Sequence, residues 1–454
     1  MATQDITTGS RTTPSVSSDS TSPSYVRPLV IVTTLFFMWG ALTSLNDVLI
    51  PHFQHIFSLK LAVSMLVQTA FFSAYFVFSI PSAKVIDWMG YQKAMVFGLL
   101  TMGLGAFLFV PAAKVPSFGL FLTALIVLAA GITLLQVAAN PYVTVLGKAE
   151  TASSRLNLTQ AFNSLGTTIA PWIGGLLILS TAAASISEDP AQQAASVIKP
   201  YVGLGIALVL LAVVIGSFKL PKVESAQHHI GEKVNDSIWK HPNLIWGSVA
   251  IFVYVGGEVA IGSSIANYLA LDNIGHLVSS SVIPDTALRY QEAIHAAAKY
   301  ISLYWGGAMI GRFIGSAVLQ KVKTGKVLAF CAIMAMLLVT VSVLSNGPVA
   351  MWSILLVGFF NSIMFPSIFT LGVAELGPLT GDGSGVMIMA IVGGAAIPWI
   401  VGKMGDLINA KSYGGAIWGQ GLHYALIVPL FCYLYILFFA VSGSKPNSER
   451  RANA

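Results

Sequence analysis

One carboxylate, Asp47, lies in a stretch of apolar residues that contains no other charge. The stretch covers residues 29–50, and roughly 20 apolar residues are enough for a helix to cross a bilayer. An ionised side chain near the middle of a membrane costs about 3 kcal/mol or more unless it is paired, hydrated or protonated. We therefore predict a functional role for Asp47, as a proton-carrying or ligand-binding group together with its neighbour Asn46.

Amide side chains occur at helical spacing in two further apolar stretches. Gln136 and Asn140 are four residues apart, which places them on one face of a helix. Pro141 follows directly, and a proline inside a helix frees the backbone carbonyl one turn earlier and favours a kink. The amides of the next stretch are spaced by three residues: Asn157, Gln160 and Asn163. Because polar groups facing lipid are penalised, we expect these side chains to face a cavity or a neighbouring helix.

The second half of the chain carries fewer polar groups inside its apolar stretches. Glu258 is flanked by glycines and is either a second titratable group, a ligand contact, or the structural partner of Arg312. Asn361 lies in a later apolar stretch. A neutral, polyhydroxylated ligand suits this uneven distribution, because amide and carboxylate side chains can each satisfy adjacent hydroxyl groups.

Composition indicates an integral membrane protein. Of the 454 residues, 55% are hydrophobic and only 9% are charged, whereas a soluble domain carries about 25% charged residues. The net charge of +6 does not indicate nucleic-acid binding, because the basic residues lie in short loops between apolar runs. We expect no enzyme, no metal site and no cofactor, since the histidines lack metal-ligand spacing and no phosphate-binding loop is present.

The pattern predicts an all-α membrane protein with twelve transmembrane helices in two pseudo-symmetric six-helix bundles. The predicted domains are a disordered tail (1–24), an N-terminal bundle (25–219), a linker (220–243), a C-terminal bundle (244–443) and a second tail (444–454). The predicted spans are 28–50, 61–83, 94–113, 118–147, 157–180, 201–219, 244–271, 297–320, 326–346, 349–373, 384–408 and 420–443.

Two short matches indicate that the second bundle repeats the first. Residues 141–147 (PYVTVLG) resemble residues 366–372 (PSIFTLG), and PWI occurs at both 171–173 and 398–400. The first match pairs Gln136 with Asn361. Lysine and arginine are concentrated in loops on the side of the predicted N-terminus, which predicts that both termini are cytoplasmic.

The loop after the second span, residues 83–93 (AKVIDWMGYQK), contains an acidic and a basic residue around a glycine. We predict that Asp87 and Lys93 act there as a conformational latch between the bundles. A tight turn with interfacial charges is the simpler alternative.

Four stretches together resemble the fucose/glucose/galactose permease family of the major facilitator superfamily. They are residues 45–53 (LNDVLIPHF), 136–141 (QVAANP), 157–166 (NLTQAFNSLG) and 365–369 (FPSIF). The resemblance implies proton-coupled uptake of a monosaccharide by alternating access. It also implies that Asp47 is the membrane acid and that Gln160 and Asn163 contact the sugar. Fucose-type members have a glutamate where this chain has Gln136, which favours the glucose/galactose branch.

The full set of predicted roles follows from these patterns and the resemblance. Asp47 and Glu258 are predicted to couple transport to protons, with sodium as the alternative ion. The predicted substrate-binding residues are Asn46, Asp47, Gln136, Asn140, Gln160, Asn163, Glu258 and Asn361. We expect a monomer in the bacterial inner membrane, with a monosaccharide, the coupling ion and lipid as its partners. A fucose or N-acetylglucosamine permease is the nearest alternative, and a non-sugar exporter or a membrane sensor is a remote one.

Overall fold

The structure is a computed structural model. It describes residues 25–57, 66–115, 117–174, 197–221, 236–279, 285–411 and 420–446, together with residues 195, 281, 283 and 448. Both predicted tails, apart from residues 444–446 and 448, and most of the predicted linker lie outside the described residues. The predicted domain boundaries therefore stay a prediction.

The described residues form α-helices joined by short turns, and no strand occurs among them. The helices are α1 Val26–Ile56, α2 Leu66–Lys114, α3 Phe118–Val145, α4 Ala152–Gly174, α5 Ile198–Ser217, α6 Pro242–Leu269, α7 Thr286–Val318, α8 Thr324–Leu344, α9 Gly347–Asn361, α10 Met364–Gly372, α11 Thr380–Met389, α12 Gly393–Lys411, α13 Gln420–Ala425 and α14 Ile427–Phe438. A short π-helical turn, Phe439–Gly443, extends the last one.

The predicted all-α fold with twelve crossings is confirmed. Nine segments of the described chain are long and apolar enough to cross a membrane. One of them, Thr69–Lys114, is long enough for two crossings and consists of two helices that meet at a kink at Gly90, whose φ of 78° and ψ of 166° are not helical. The remaining two crossings are α4 and α7, which carry more polar residues than the others.

Close approach of two helices fixes the position of α4 against α1. A Cβ atom added at Gly40 would lie 2.7 Å from Nδ2 and 2.9 Å from the carbonyl carbon of Asn163. A Cβ atom added at Gly166, one turn further along α4, would collide with the carbonyl oxygen of Phe37 and lie 2.9 Å from the amide nitrogen of Ala41. The backbones touch because neither position carries a side chain, which is the usual means of tight helix packing in membranes.

The most extensive contacts between the two halves of the chain lie along two pairs of helices. α4 packs against α7, and α2 packs against α11. In the second pair, a Cβ atom added at Gly385 would lie 3.0 Å from Cβ of Ala83 and 3.1 Å from the carbonyl oxygen of Ser79. These two helix pairs form the main part of the contact between the halves.

The contact at Gly166 leads to a stability prediction. We expect Gly166→Ala to destabilise the protein by about 1–3 kcal/mol, because the added methyl group forces apart two helix backbones that are already in contact. The measurement is the thermal unfolding midpoint in detergent. Gly203→Ala is the matched control, since a Cβ atom there has nothing within 4 Å. Equal midpoints for the two variants would contradict this account of the α1–α4 contact.

Candidate functional site

Two of the amides predicted in the N-terminal half lie together in the interior. Asn140 on α3 is fully buried and Gln160 on α4 is nearly so. The Nε2 atom of Gln160 donates a hydrogen bond to Oδ1 of Asn140 at 3.3 Å. The Nδ2 atom of Asn140 is buried and has no hydrogen-bond partner in the described part of the chain. An amide whose donor is unpaired is ready to bind a ligand oxygen.

Asn163 connects this cluster to α1. Its Nδ2 atom donates to the backbone carbonyl of Phe36 at 2.9 Å. Asp47 lies seven residues beyond Gly40 in the same helix, which is about two turns. The side chains of Asn46 and Asp47 lie outside the described residues, so their predicted roles stay predictions.

Gln136 and Asn361 make equivalent interactions in the two halves. Gln136 Nε2 donates to the hydroxyl of Tyr75 on α2 at 2.6 Å. Asn361 Nδ2 donates to the hydroxyl of Tyr304 on α7 at 2.9 Å. In each half, an amide on the fourth crossing therefore binds a tyrosine on the second. This agrees with the pairing of the two residues predicted from the repeat. Neither tyrosine was identified from the sequence.

The two prolines that mark the repeat each free a backbone carbonyl, as predicted for Pro141. Helix α3 continues through Pro141, and the carbonyl four residues earlier, on Val137, accepts a hydrogen bond from Oγ of Ser384 at 2.9 Å. In the second half, the helix is interrupted between α9 and α10, and the carbonyl four residues before Pro366, on Ser362, accepts from Nε of Arg312 at 3.1 Å. Polar side chains thus replace the hydrogen bonds that the prolines remove.

Glu258 lies in a second buried polar cluster. It is buried on α6, and its backbone carbonyl accepts a hydrogen bond from the hydroxyl of Tyr304 at 3.3 Å. The hydroxyl of Tyr254 donates to the carbonyl of Asn361 at 3.1 Å. Three buried atoms in this cluster have no hydrogen-bond partner among the described residues: Oε1 of Glu258, Oδ1 of Asn361 and the hydroxyl of Tyr433.

The alternative role predicted for Glu258, an ion pair with Arg312, is not formed in this conformation. The guanidinium of Arg312 instead contacts α4 in the other half, where Nη1 donates to Oγ of Ser164 and to the carbonyl of Gln160, the latter at 3.3 Å. Glu258 and Arg312 are close enough to interact electrostatically. The link between Arg312 and α4 was not predicted from the sequence.

The loop predicted to act as a latch contacts the other half, but through a different lysine. Lys84 Nζ lies 3.5 Å from Oδ2 of Asp87 and 2.8 Å from Oδ1 of Asp382 at the start of α11. Asp87 is buried, and its Oδ1 would lie 3.6 Å from a Cβ atom at Gly381, close to the first turn of α11, where backbone N–H groups favour negative charge. Lys93 is exposed, so its part in a latch stays a prediction.

Hydroxyl groups hold the two halves together at the same end of the molecule as Lys84. Ser154 on α4 and Ser316 on α7 each donate to the other's backbone carbonyl, at 2.7 and 3.1 Å. Next to them, Oγ of Ser153 lies 2.5 Å from Oγ1 of Thr370 and accepts from Oγ1 of Thr324 at 2.9 Å. We call this group of five residues the hydroxyl contact. It joins the two halves at that end.

Comparison with known proteins agrees with this architecture. The sequence profile of the Major Facilitator Superfamily matches residues 31–398. A glucose/galactose transporter of Brucella abortus is 44% identical over 427 residues, which cover 94% of this chain and 96% of that protein. The chain belongs to this superfamily, within its fucose/glucose/galactose permease family.

Two solved structures of superfamily members have the same fold. The Escherichia coli fucose:proton symporter FucP is 31% identical, and its structure covers 93% of this chain and 100% of its own with a TM-score of 0.80. A second FucP structure, in the outward conformation, gives a TM-score of 0.78 at 31% identity and the same coverage. The resemblance stated from the sequence motifs is therefore confirmed at the level of family and fold.

The equivalent amide–tyrosine pairs of this superfamily member lead to a second prediction. We expect Tyr75→Phe and Tyr304→Phe each to destabilise the protein by about 1–3 kcal/mol, because each leaves a buried amide donor unpaired. Thermal unfolding midpoints measure the effect. Tyr435→Phe is the control, since its hydroxyl donates to the carbonyl of Trp246 at 3.3 Å in an exposed position. If Tyr75→Phe and Tyr304→Phe unfolded at the same temperature as Tyr435→Phe, the two buried tyrosine hydroxyls would not stabilise the protein through their amide partners.

Proposed function

We propose that this protein is a secondary active transporter that imports a monosaccharide, with glucose or galactose as the substrate, by proton-coupled alternating access. The observation that carries the proposal is the buried amide cluster of Asn140 and Gln160, which retains an unpaired donor in the interior of a chain that is 44% identical to a glucose/galactose transporter. Its relatives are transporters, which supports a transport role rather than an enzymatic one.

A neutral ligand with many hydroxyl groups fits the polar atoms that lack partners. The N-terminal half offers an unpaired donor on Asn140, and the C-terminal half offers unpaired acceptors on Glu258 and Asn361. A sugar hydroxyl both donates and accepts hydrogen bonds, so one molecule can satisfy groups of both kinds. Unpaired buried polar groups are costly, which gives a matching ligand a free-energy advantage over an apolar one.

We place the protein in the bacterial inner membrane with both termini in the cytoplasm, because the basic loops lie on that side. The hydroxyl contact and the ion pair between Lys84 and Asp382 then lie at the cytoplasmic end. Closure at that end corresponds to a conformation that opens outward. The similarity to the outward structure of FucP supports this assignment.

In the proposed cycle, Asp47 binds a proton from the outside together with the sugar. The neutral carboxylic acid avoids the cost of a bare charge while the loaded protein changes conformation. The proton and the sugar leave on the cytoplasmic side, where the proton concentration is lower. Gln136 cannot carry a proton, so Glu258, on the opposite half, is our candidate for a second titratable group in the interior.

Uptake into proteoliposomes tests the function directly. Purified protein is assayed with labelled glucose, galactose, fucose, mannose and N-acetylglucosamine, under an imposed proton gradient or an imposed sodium gradient. We expect glucose or galactose to accumulate under the proton gradient alone. If sugar accumulated only under the sodium gradient, the coupling ion would be sodium and not the proton. If none of the sugars were transported, the proposal would be excluded.

Replacement of the membrane acid separates coupling from binding. We expect Asp47→Asn to abolish accumulation under a proton gradient, because the amide cannot release a proton, and to retain sugar exchange between equal concentrations. Both rates are measured in the same vesicles. Wild-type accumulation in this variant would show that Asp47 is not the coupling residue. Asn346→Asp, which adds an acid at an exposed loop position, serves as a control for a change of one charge.

A further inference from the structure

Arg312 connects the two halves of the protein through both its side chain and its backbone. Its Nη1 atom donates to Ser164 and to the carbonyl of Gln160 on α4. In the opposite direction, Nδ2 of Asn157 donates to the backbone carbonyl of Arg312 at 2.7 Å. The guanidinium is therefore attached to the helix that carries the predicted sugar amides.

The same guanidinium is also anchored in its own half. Its Nε atom donates to the carbonyl of Ser362, which Pro366 leaves without a helical partner. This anchor does not depend on α4. When the halves separate, Nε can therefore keep its position while Nη1 loses both of its acceptors.

Arg312 forms no ion pair with a carboxylate in the described part of the chain. Arg312 is half-buried, and a partly buried cation without a paired anion is costly, as is a buried carboxylate with an unsatisfied oxygen. Glu258 is such a carboxylate, because it is buried and its Oε1 has no hydrogen-bond partner. The two groups belong to adjacent helices, α6 and α7, of the same half. Their pairing is thus possible without any contribution from α4.

We propose that Arg312 exchanges partners during the transport cycle. In the conformation closed at the hydroxyl contact, its Nη1 atom binds Ser164 and the carbonyl of Gln160. When α4 and α7 separate at that end, the guanidinium turns within its own half and pairs with Glu258. Arg312 is therefore a positioning residue that links the carboxylate of one half to the sugar-binding helix of the other. This inference rests on the proposed alternating-access function and adds the residue that connects its two halves.

The exchange has a simple energetic consequence. Each state provides at least one charge-assisted hydrogen bond for Nη1. Hydrogen bonds to charged groups are stronger than neutral ones, and about 1.4 kcal/mol corresponds to a tenfold change in an equilibrium constant. Removal of the partner in one state should therefore shift the population toward the other state by about tenfold.

The distance between the two halves at the hydroxyl contact measures the shift in population between the closed and the open state. Spin labels are attached to cysteines introduced at Glu150 and Lys321, two exposed positions on either side of the hydroxyl contact, in the full-length protein in nanodiscs. The native cysteines are first removed as Cys331→Ala and Cys432→Ala. Distance distributions then give the fraction of molecules that is open at this end, without added sugar.

We expect opposite shifts from the two partners of Arg312. Ser164→Ala weakens the closed state and should raise the open fraction, whereas Glu258→Gln weakens the open state and should lower it about tenfold. Ser217→Ala is the matched control, because that hydroxyl bonds only within its own exposed helical turn, to Val213 at 2.7 Å. An open fraction in Glu258→Gln equal to that of the control would overturn the proposal, as would a shift of both variants in the same direction.

The readout keeps this inference separate from the identity of the substrate. The distances are measured without sugar, so a protein that transports another substrate would still show the opposite shifts. Conversely, normal glucose uptake together with unchanged distances in both variants would exclude the exchange and leave the transport function intact. Arg312→Lys adds a second criterion: a single ammonium cannot hold Ser362 and Glu258 in the same geometry as a guanidinium. We expect it to lower the transport rate while sugar affinity stays close to that of the wild type.

Discussion

Polar groups inside a membrane have no water to bind, and this constraint determines the interior of the protein. Each amide that enters the bundle is held by a group on a neighbouring helix. Gln136 binds Tyr75, Asn361 binds Tyr304, and Asn163 binds the backbone of α1. These bonds fix the relative positions of the helices, and the contact at Gly40 and Gly166 brings α1 close enough for the last of them.

The same constraint identifies where a ligand can bind. Several buried side-chain atoms of the described residues remain without partners, among them Nδ2 of Asn140 in one half and Oε1 of Glu258 and Oδ1 of Asn361 in the other. A ligand that bridges the halves can satisfy both sets. Alternating access requires such bridging, because a ligand bound to one half alone has no preference between the two conformations.

Much of this arrangement could be predicted from the sequence, but contacts between the halves could not. Hydropathy and the repeated PYVTVLG motif predicted the twelve helices and the equivalence of Gln136 and Asn361. The contact of Lys84 was not predicted, although Lys84 and Asp87 are three residues apart and share a helix face. The partner of Lys84, Asp382, is 298 positions away along the chain. No local pattern encodes a pairing over that separation, and the same is true of Arg312 and Ser164.

The chemistry of the contact between the halves suits an interface that must open in every cycle. The hydroxyl contact is built from neutral groups, and a neutral hydrogen bond contributes only about 0.5–1.5 kcal/mol net. The ion pair between Lys84 and Asp382 involves a lysine that is 57% exposed, and exposed pairs contribute about 0–1 kcal/mol. A row of buried ion pairs would instead leave several uncompensated charges after each opening, at several kcal/mol apiece. Arg312 carries a charge across this interface, from α7 to α4, and its own half holds a carboxylate, Glu258, that can serve as a second partner. The halves can therefore separate here without leaving the guanidinium unpaired.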